Sequence, residues 1–236
     1  MPIKKVFFTN LKGMKLAGWL HVPEGKGPFP ALVKTHGWRS NKEGGSSMAL
    51  IEPFSDMVYL RFDLHGHGES EGNIDDFDAA LCIDDMKSAV DFVYGLKEVD
   101  KNKIAITGSS LGGLATTLAA AWSDKVSIAI PVCPVSDFKP FRVSDIKYKN
   151  MITLLGQENV YKEAEKIKTP VFVIHGDSDD CVPISQSIEL IKHLKNGVLH
   201  IIPGADHVFS KEKDFKQMIE QIDEFVHERF SHEKGV

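Results

Sequence analysis

The sequence has 236 residues, of which 42% are hydrophobic and 26% are charged, and its formal net charge is -5. The apolar content excludes a disordered chain, and a mildly acidic chain without a basic run is a poor candidate for binding nucleic acid. A chain of this length can bury a sizeable core without help from disulfides or metal ions. We expect one domain over residues 1–236.

Segments for export or membrane insertion are not recognisable in the sequence. Residues 1–10 lack the apolar core of a signal peptide, and no run reaches the roughly 18 consecutive apolar residues of a membrane span. The three cysteines, Cys82, Cys133 and Cys181, are far apart and match no metal-ligand spacing, which is typical of a reducing compartment. We therefore expect a cytoplasmic protein that binds neither membranes nor nucleic acid.

Predicted strands and helices alternate along most of the chain. Apolar runs predict strands at residues 4–10, 15–22, 31–35, 57–62, 103–107, 126–132, 171–174 and 198–202, and the first two turn at Lys12-Gly13. Helices are predicted at residues 84–96, from residue 111 to about 122, at 184–194 and at 214–230. Asp84 and Asp85 would lie in the first turn of the helix at 84–96. The alternation predicts a mostly parallel sheet with helices on both faces.

Residues 136–169 break this rhythm. The segment is polar and charged, with apolar side chains interspersed at Tyr148, Met151, Leu154 and Leu155. It could be a lid inserted between two strands, or a surface connection with one or two short helices. Its apolar side chains could cover a site or contact a second subunit, so the sequence does not decide whether the protein forms a homodimer.

The strongest local signal is Gly108-Ser109-Ser110-Leu111-Gly112, a G-x-S-x-G pattern where a strand meets a helix. A tight turn there would lift the Ser110 hydroxyl above the edge of the sheet, and the helix N-terminus favours developing negative charge. The pattern alone is weak, because chains rich in glycine and serine contain it by chance. Ser110 is the candidate nucleophile, since Ser109 lies off the central position.

A serine hydroxyl is a poor nucleophile at neutral pH and needs a general base. His207 follows the last predicted strand, and catalytic side chains in open α/β sheets gather at the carboxyl ends of strands. His36, His65, His67 and His175 also follow strands, so position alone does not select one. The chain order of nucleophile, acid and histidine selects His207.

An aspartate that orients this histidine should lie between the nucleophile and the base, at another strand end. The segment at residues 175–183 supplies three candidates, Asp177, Asp179 and Asp180. Any one of them could instead be a solvated turn residue that caps the following helix. The residues by themselves leave this choice open.

Four sequence blocks occur in a fixed order. They are His36-Gly37-Trp38, a D-x-x-G-H-G-x-S run at residues 63–70, the pattern at 108–112, and H-G-x-x-D-x-x-V-P at 175–183 followed by His207. In these blocks, from about Pro30 to the final helix, the chain resembles the α/β-hydrolases of the small serine-esterase kind. That group includes carboxylesterases, cinnamoyl and feruloyl esterases and monoacylglycerol lipases. The resemblance implies a single α/β-hydrolase domain with a short lid insertion at about residues 136–169.

The same resemblance implies roles for individual residues. It places the acid at Asp179, and it places the oxyanion hole at the backbone N–H groups of Leu111 and Trp38. It implies a small-molecule carboxylic ester as the substrate, an acyl-enzyme formed on Ser110, and no organic cofactor or metal. The block at 63–70 is expected to be mainly structural, since its His-x-His pair is a weak metal signal without a carboxylate partner.

Two kinds of alternative function stay open. The same triad can cleave amides or thioesters, so a peptidase, an amidase or a thioesterase is the alternative among enzymes. A non-catalytic homologue that kept the pocket is the alternative of another class, although such a protein usually lacks a triad member. The acyl chain and the alcohol of the substrate are not determined, because one fold hosts many reactions.

Overall fold

A computed structural model describes residues 3–137 and 159–232. The strands in chain order are β1 (Ile3–Thr9), β2 (Lys15–His21), β3 (Phe29–Thr35), β4 (Val58–Phe62), β5 (Val99–Ser109), β6 (Ile128–Val132), β7 (Val171–Gly176) and β8 (Gly197–Ile202). They form one sheet in the order β1-β2-β4-β3-β5-β6-β7-β8. β2 pairs antiparallel with β1 and with β4, and every other neighbouring pair is parallel. The prediction of a mostly parallel sheet is confirmed.

Helices cover both faces of this sheet. They are α1 (Gly45–Ala49), α2 (Ala79–Tyr94), α3 (Leu111–Trp122), α4 (Asn159–Ala164), α5 (Ser185–Lys192) and α6 (Glu212–His232), with a 3-10 turn at Ile74–Asp76. Side chains alternate across a strand, so Ile104 and Ile106 of β5 join the core under α2 and α3, whereas Ala105 joins the core under α6. Burial on both faces explains why the central strands are continuously apolar.

Helix α2 differs from its prediction. It begins at Ala79, where the Asp78 carboxylate accepts the N–H of Ala80 at 2.9 Å as an N-cap. Asp85 is fully buried in the second turn and accepts a hydrogen bond of 2.7 Å from Asn10. The prediction of Asp84 and Asp85 in the first turn was wrong, because a nearly continuous apolar run at residues 79–83 conceals the helical period there.

The segment that breaks the rhythm is described only in part. Residues 138–158, which include Tyr148, Met151, Leu154 and Leu155, lie outside the described residues, so the lid stays a prediction. Helix α4 follows and buries Val160 and Ala164 in the core under α3. Within residues 3–137 and 159–232, no helix is both long enough and apolar enough to traverse a bilayer.

Candidate active site

A cavity of about 560 Å³ lies where the parallel strands end. Its lining includes Trp38 after β3, Ser110 after β5, Cys181 after β7 and His207 after β8. The carboxyl ends of parallel strands meet at one edge of a sheet, which is where open α/β folds bind ligands. The structure therefore brings residues from distant parts of the chain to one cavity.

Ser110 occupies a sharp turn between β5 and α3. Its backbone has φ +57° and ψ -114°, a left-handed conformation that costs a residue with a side chain about 1–3 kcal/mol. The turn is held because the Ser110 N–H donates to the carbonyl of Val132 at 2.8 Å and the Ser110 carbonyl accepts the N–H of Leu114 at 3.0 Å. Ser110 thus lies at the strand-to-helix turn that the motif predicts.

Glycines let neighbouring backbone segments approach this turn. A Cβ atom added to Gly108 would lie 2.4 Å from the carbonyl oxygen of Gly112, and one added to Gly112 would lie 2.6 Å from the carbonyl oxygen of His36. A Cβ atom added to Gly37 would lie 3.3 Å from the Cβ of Ser110. The loop that carries Trp38 therefore lies directly against the candidate nucleophile.

His207 and Asp179 form a hydrogen-bonded pair, with 2.7 Å between His207 Nδ1 and Asp179 Oδ2. The other carboxylate oxygen accepts the N–H groups of Cys181 at 2.9 Å and Val182 at 2.8 Å. The Asp179 side chain is fully buried, whereas the His207 side chain is 15% exposed. Of the other candidate acids, Asp177 accepts the N–H of Gly204 at 2.6 Å and so braces the loop that leads to the histidine.

The carboxylate of Asp179 is held in its ionised form. Burial by itself would raise the pKa of Asp179, but hydrogen bonds from His175, His207 and the Val182 N–H hold it well below its usual range. An ionised carboxylate at this position fixes the tautomer of His207 and can stabilise the imidazolium that forms when the ring takes a proton.

His175 is a neighbour of the acid that received no role from the sequence. Its Nε2 lies 3.2 Å from Asp179 Oδ2 and 3.0 Å from the Val182 carbonyl, and its Nδ1 lies 2.7 Å from the Ser187 hydroxyl. The ring is fully buried, so these contacts hold the Asp179 carboxylate from inside the protein. The sequence signal that could have indicated this role is the His-Gly pair at the start of the fourth sequence block.

His67 supports the loop that follows β3. The Nε2 atom of His67 accepts the N–H of Arg39 at 3.1 Å, and its Nδ1 donates to the carbonyl of His65 at 3.0 Å. The Trp38 ring packs edge-on against His67 and Phe77, with centroid distances of 5.3 and 4.6 Å. Burial lowers the pKa of His67, which keeps its Nε2 unprotonated and able to accept.

The remainder of the 63–70 block is structural, as predicted. Asp63 is fully buried and accepts the backbone N–H and the ammonium of Lys42, each at 2.7 Å, and the N–H of Glu69 at 2.9 Å. His65 Nδ1 lies 2.6 Å from the carboxylate of Asp85. His65 and His67 therefore have separate hydrogen-bond partners in the described residues.

Lys34 is a buried lysine for which the sequence predicted no role. The sequence signal that could have indicated it is a lysine inside an apolar strand. Its side chain on β3 is 1% exposed, and its Nζ donates to the Thr35 carbonyl at 2.9 Å and to the Ser109 hydroxyl at 3.3 Å. Burial lowers the pKa of Lys34 to about 7, and no ion pair in the described part of the chain opposes that effect.

Replacing Lys34 with methionine is expected to raise the free energy of unfolding by about 2–4 kcal/mol at pH 7. Between pH 7 and about 10 the unfolded lysine keeps a proton that the folded one has released, so wild-type stability rises with pH. The advantage of the variant should therefore shrink by about 1.4 kcal/mol per pH unit. Urea denaturation at pH 7, 8 and 9 measures this, with exposed Lys97→Met as the control. A pH-independent difference would contradict it.

Each cysteine lies beside a histidine and an aspartate in the described residues. The three groups are His65–Cys82–Asp85, Cys133–His175–Asp179 and Asp179–Cys181–His207, and within each the candidate ligand atoms lie within 4.8 Å of one another. Each group offers three side-chain ligands, fewer than the four of a closed structural zinc site. In each group two members lie within four residues of each other in the sequence, and tertiary packing brings the third to them.

Sequence comparison places the chain among known hydrolases. Residues 55–233 match the prolyl oligopeptidase family. The chain is 27% identical to the mitochondrial palmitoyl-protein thioesterase ABHD10 of Bos taurus, over 85% of this chain and 74% of that protein. It is 25% identical to the uncharacterized peptidase YuxL of Bacillus subtilis, over 93% of this chain but 37% of the peptidase.

Structural comparison gives the same fold. The structure of Est1E from Butyrivibrio proteoclasticus with bound ferulic acid has a TM-score of 0.82 and 26% identity to this chain, and the match covers 96% of this chain and 99% of that one. The matched range, residues 55–233, spans the positions of Ser110, Asp179 and His207. The chain therefore belongs to the prolyl oligopeptidase family and is a hydrolase of the α/β-hydrolase superfamily.

Proposed function

We propose that this protein is a serine hydrolase that cleaves carboxylic esters of small molecules. Ser110 is the nucleophile, His207 the general base, and Asp179 the residue that orients the histidine. The observation that carries the proposal is the 2.7 Å hydrogen bond between His207 and Asp179 beside a cavity that Ser110 also lines. The chain order of the three residues is that of α/β-hydrolases.

The reaction follows from these positions. Ser110 Oγ attacks the ester carbonyl while His207 takes the hydroxyl proton, and the histidine then gives this proton to the leaving alcohol. Water attacks the acyl-enzyme by the same route in reverse and releases the acid. Asp179 stays ionised throughout and stabilises the imidazolium at each step.

The backbone N–H groups of Leu111 and Trp38 stabilise the charge that develops on the carbonyl oxygen. Leu111 is the first residue of α3, where an N–H has no acceptor within the helix. Gly37 closely approaches Ser110, and this supports a position of the Trp38 N–H, one residue further along the chain, beside the same oxygen. Such donors are typically worth about 10²–10³ in rate each.

The walls of the cavity indicate the substrate. Apolar side chains dominate the lining away from the triad, and they include Trp38, Val182, Phe209, Phe215 and Met218. Apolar walls around few polar groups suit a short or aromatic acyl group. The similarity to Est1E, which holds ferulic acid in its structure, supports an aromatic acyl ester.

A thioester is the second candidate substrate. The observation that favours it is the similarity to the palmitoyl-protein thioesterase over 85% of this chain. The same triad serves both reactions, since an alkoxide and a thiolate leave from the same tetrahedral intermediate. The match to the prolyl oligopeptidase family keeps amide bonds as a third type of substrate.

Two assays test the proposal on the folded wild-type protein. A fluorophosphonate probe should label Ser110, located by mass spectrometry of the tryptic peptides, because the probe reacts with activated serines. Rates are then compared for p-nitrophenyl esters from acetate to decanoate, a cinnamoyl ester, an acyl-CoA thioester and an aminoacyl amide. We expect labelling and the highest kcat/KM on an oxygen ester. Labelling with a preference for the thioester or amide would reassign the substrate, and neither labelling nor turnover would indicate a binding protein.

A further inference from the structure

We propose that Asp179, Cys181 and His207 form an inhibitory binding site for a soft divalent cation such as Zn²⁺. The inhibition rests on the proposed function of Ser110 and His207, whereas the binding of the cation does not. The carboxylate, thiol and imidazole ligand atoms lie within 4.8 Å of one another. In a tetrahedral zinc site with bonds of 2.0–2.3 Å, ligand atoms are about 3.3–3.8 Å apart, so small side-chain movements complete this one.

The other two groups of this kind are closed to an incoming ion. His65, Cys82 and Asp85 are all buried, so an ion from solvent would meet no exposed ligand in this group. In the second group Cys133 is buried too. Both ring nitrogens of its buried histidine already have partners, the Ser187 hydroxyl and the Val182 carbonyl.

The third group is open because Cys181 is exposed and lines the same cavity as His207. The cysteine backbone is anchored, since its N–H donates to Asp179 at 2.9 Å. The thiol therefore stays next to the acid–base pair without a change of fold. An ion can enter through the cavity of about 560 Å³ and meets the thiol and the imidazole first.

The ligand types select the metal. Thiolate and imidazole together favour Zn²⁺ and similar soft ions over Mg²⁺, which prefers oxygen ligands. On binding, Cys181 releases its proton to solvent and a metal–sulfur bond forms. His207 Nδ1 and a carboxylate oxygen of Asp179 complete three positions, and water takes the fourth. The proton on Nδ1 passes to solvent and Nε2 takes a proton from solvent, so the metal-bound ring stays neutral. The hydrogen bond between the two residues breaks, so the histidine can no longer serve as the base for Ser110.

Binding is tested with Co²⁺, which reports a bound thiolate by charge-transfer absorption in the near ultraviolet. Wild type and Cys82→Ala, which removes a buried thiol, should both develop the band, and Cys181→Ser should not. This readout needs no catalytic activity. Absence of the band in wild type, or a band of equal intensity in Cys181→Ser, would overturn the site.

Inhibition is tested by titrating ester hydrolysis with Zn²⁺, with each protein normalised to its own metal-free rate. We expect inhibition of wild type that EDTA reverses and that Mg²⁺ does not produce. Cys181→Ser should need at least about 10–100-fold more Zn²⁺ for the same inhibition, because loss of a direct ligand costs no less affinity than loss of a residue that only orients one. Equal sensitivity of the two proteins would overturn the regulatory role. A Co²⁺ band in a protein without esterase activity would refute the proposed function and leave the metal site standing.

Discussion

Ser110→Ala is expected to lower kcat for ester hydrolysis by about 10⁴–10⁶-fold and to abolish labelling by the fluorophosphonate probe. The reason is that the substitution removes the hydroxyl that forms the acyl-enzyme, while binding and the oxyanion donors remain. KM should change little, because the serine hydroxyl contributes little to ground-state binding. Active-site titration and steady-state kinetics on the best p-nitrophenyl ester measure both effects.

Ser109→Ala is the matched control for this experiment. Ser109 is the neighbouring hydroxyl and lines the same cavity, but it contacts the ammonium of Lys34. Its removal should cost at most about tenfold in rate, equivalent to one hydrogen bond. If Ser109→Ala abolished turnover and Ser110→Ala did not, the assignment of the nucleophile would be wrong.

Asp179→Asn is expected to lower kcat by about 10⁴-fold. The asparagine keeps the shape of the side chain and can still accept the N–H groups of Cys181 and Val182. Its amide donor would face His207 Nδ1, so the histidine would hold the wrong tautomer and its imidazolium would lack a charge partner. Kinetics on the same ester, with thermal denaturation to confirm the fold, measure the result.

Asp180→Asn is the matched control for the acid. Asp180 is the adjacent aspartate and is exposed, so its substitution should leave kcat within about twofold and stability within about 0.5 kcal/mol. Asp177 is unsuitable for this purpose, because its carboxylate braces the loop before His207. Loss of activity in Asp180→Asn together with an active Asp179→Asn would move the acid to the neighbouring position.

Much of the fold is readable from local patterns. The apolar runs of β5, β6 and β7 and the amphipathic period of α6 identify those elements because burial on one or two faces requires them. Short elements are harder to recognise. Helix α1 begins with Gly-Ser-Ser, which are poor helix formers. Its helical state therefore depends on tertiary contacts such as the hydrogen bond of 2.8 Å that the Tyr59 hydroxyl donates to the Ser47 carbonyl.

Much of the candidate site was also predictable, for a related reason. Ser110 lies in a turn whose geometry needs glycines at close spacing, and this requirement leaves a short pattern in the sequence. The local sequence did not identify which of the three neighbouring aspartates is the candidate acid. The hydrogen bond from His207 to Asp179 distinguishes that carboxylate from Asp177, which the fold uses to hold a loop.

By itself, the sequence determined the alternation of strands and helices, the serine turn and the order of the candidate triad, because these depend on residues close together in the chain. Only the tertiary structure decided that Lys34 is buried against Ser109, that His67 supports the Trp38 loop, and that His207 lies beside Asp179 and Cys181. Their partners come from different strands and loops. Local periodicity carries no information about contacts between residues far apart in the sequence, since these form only when the sheet assembles.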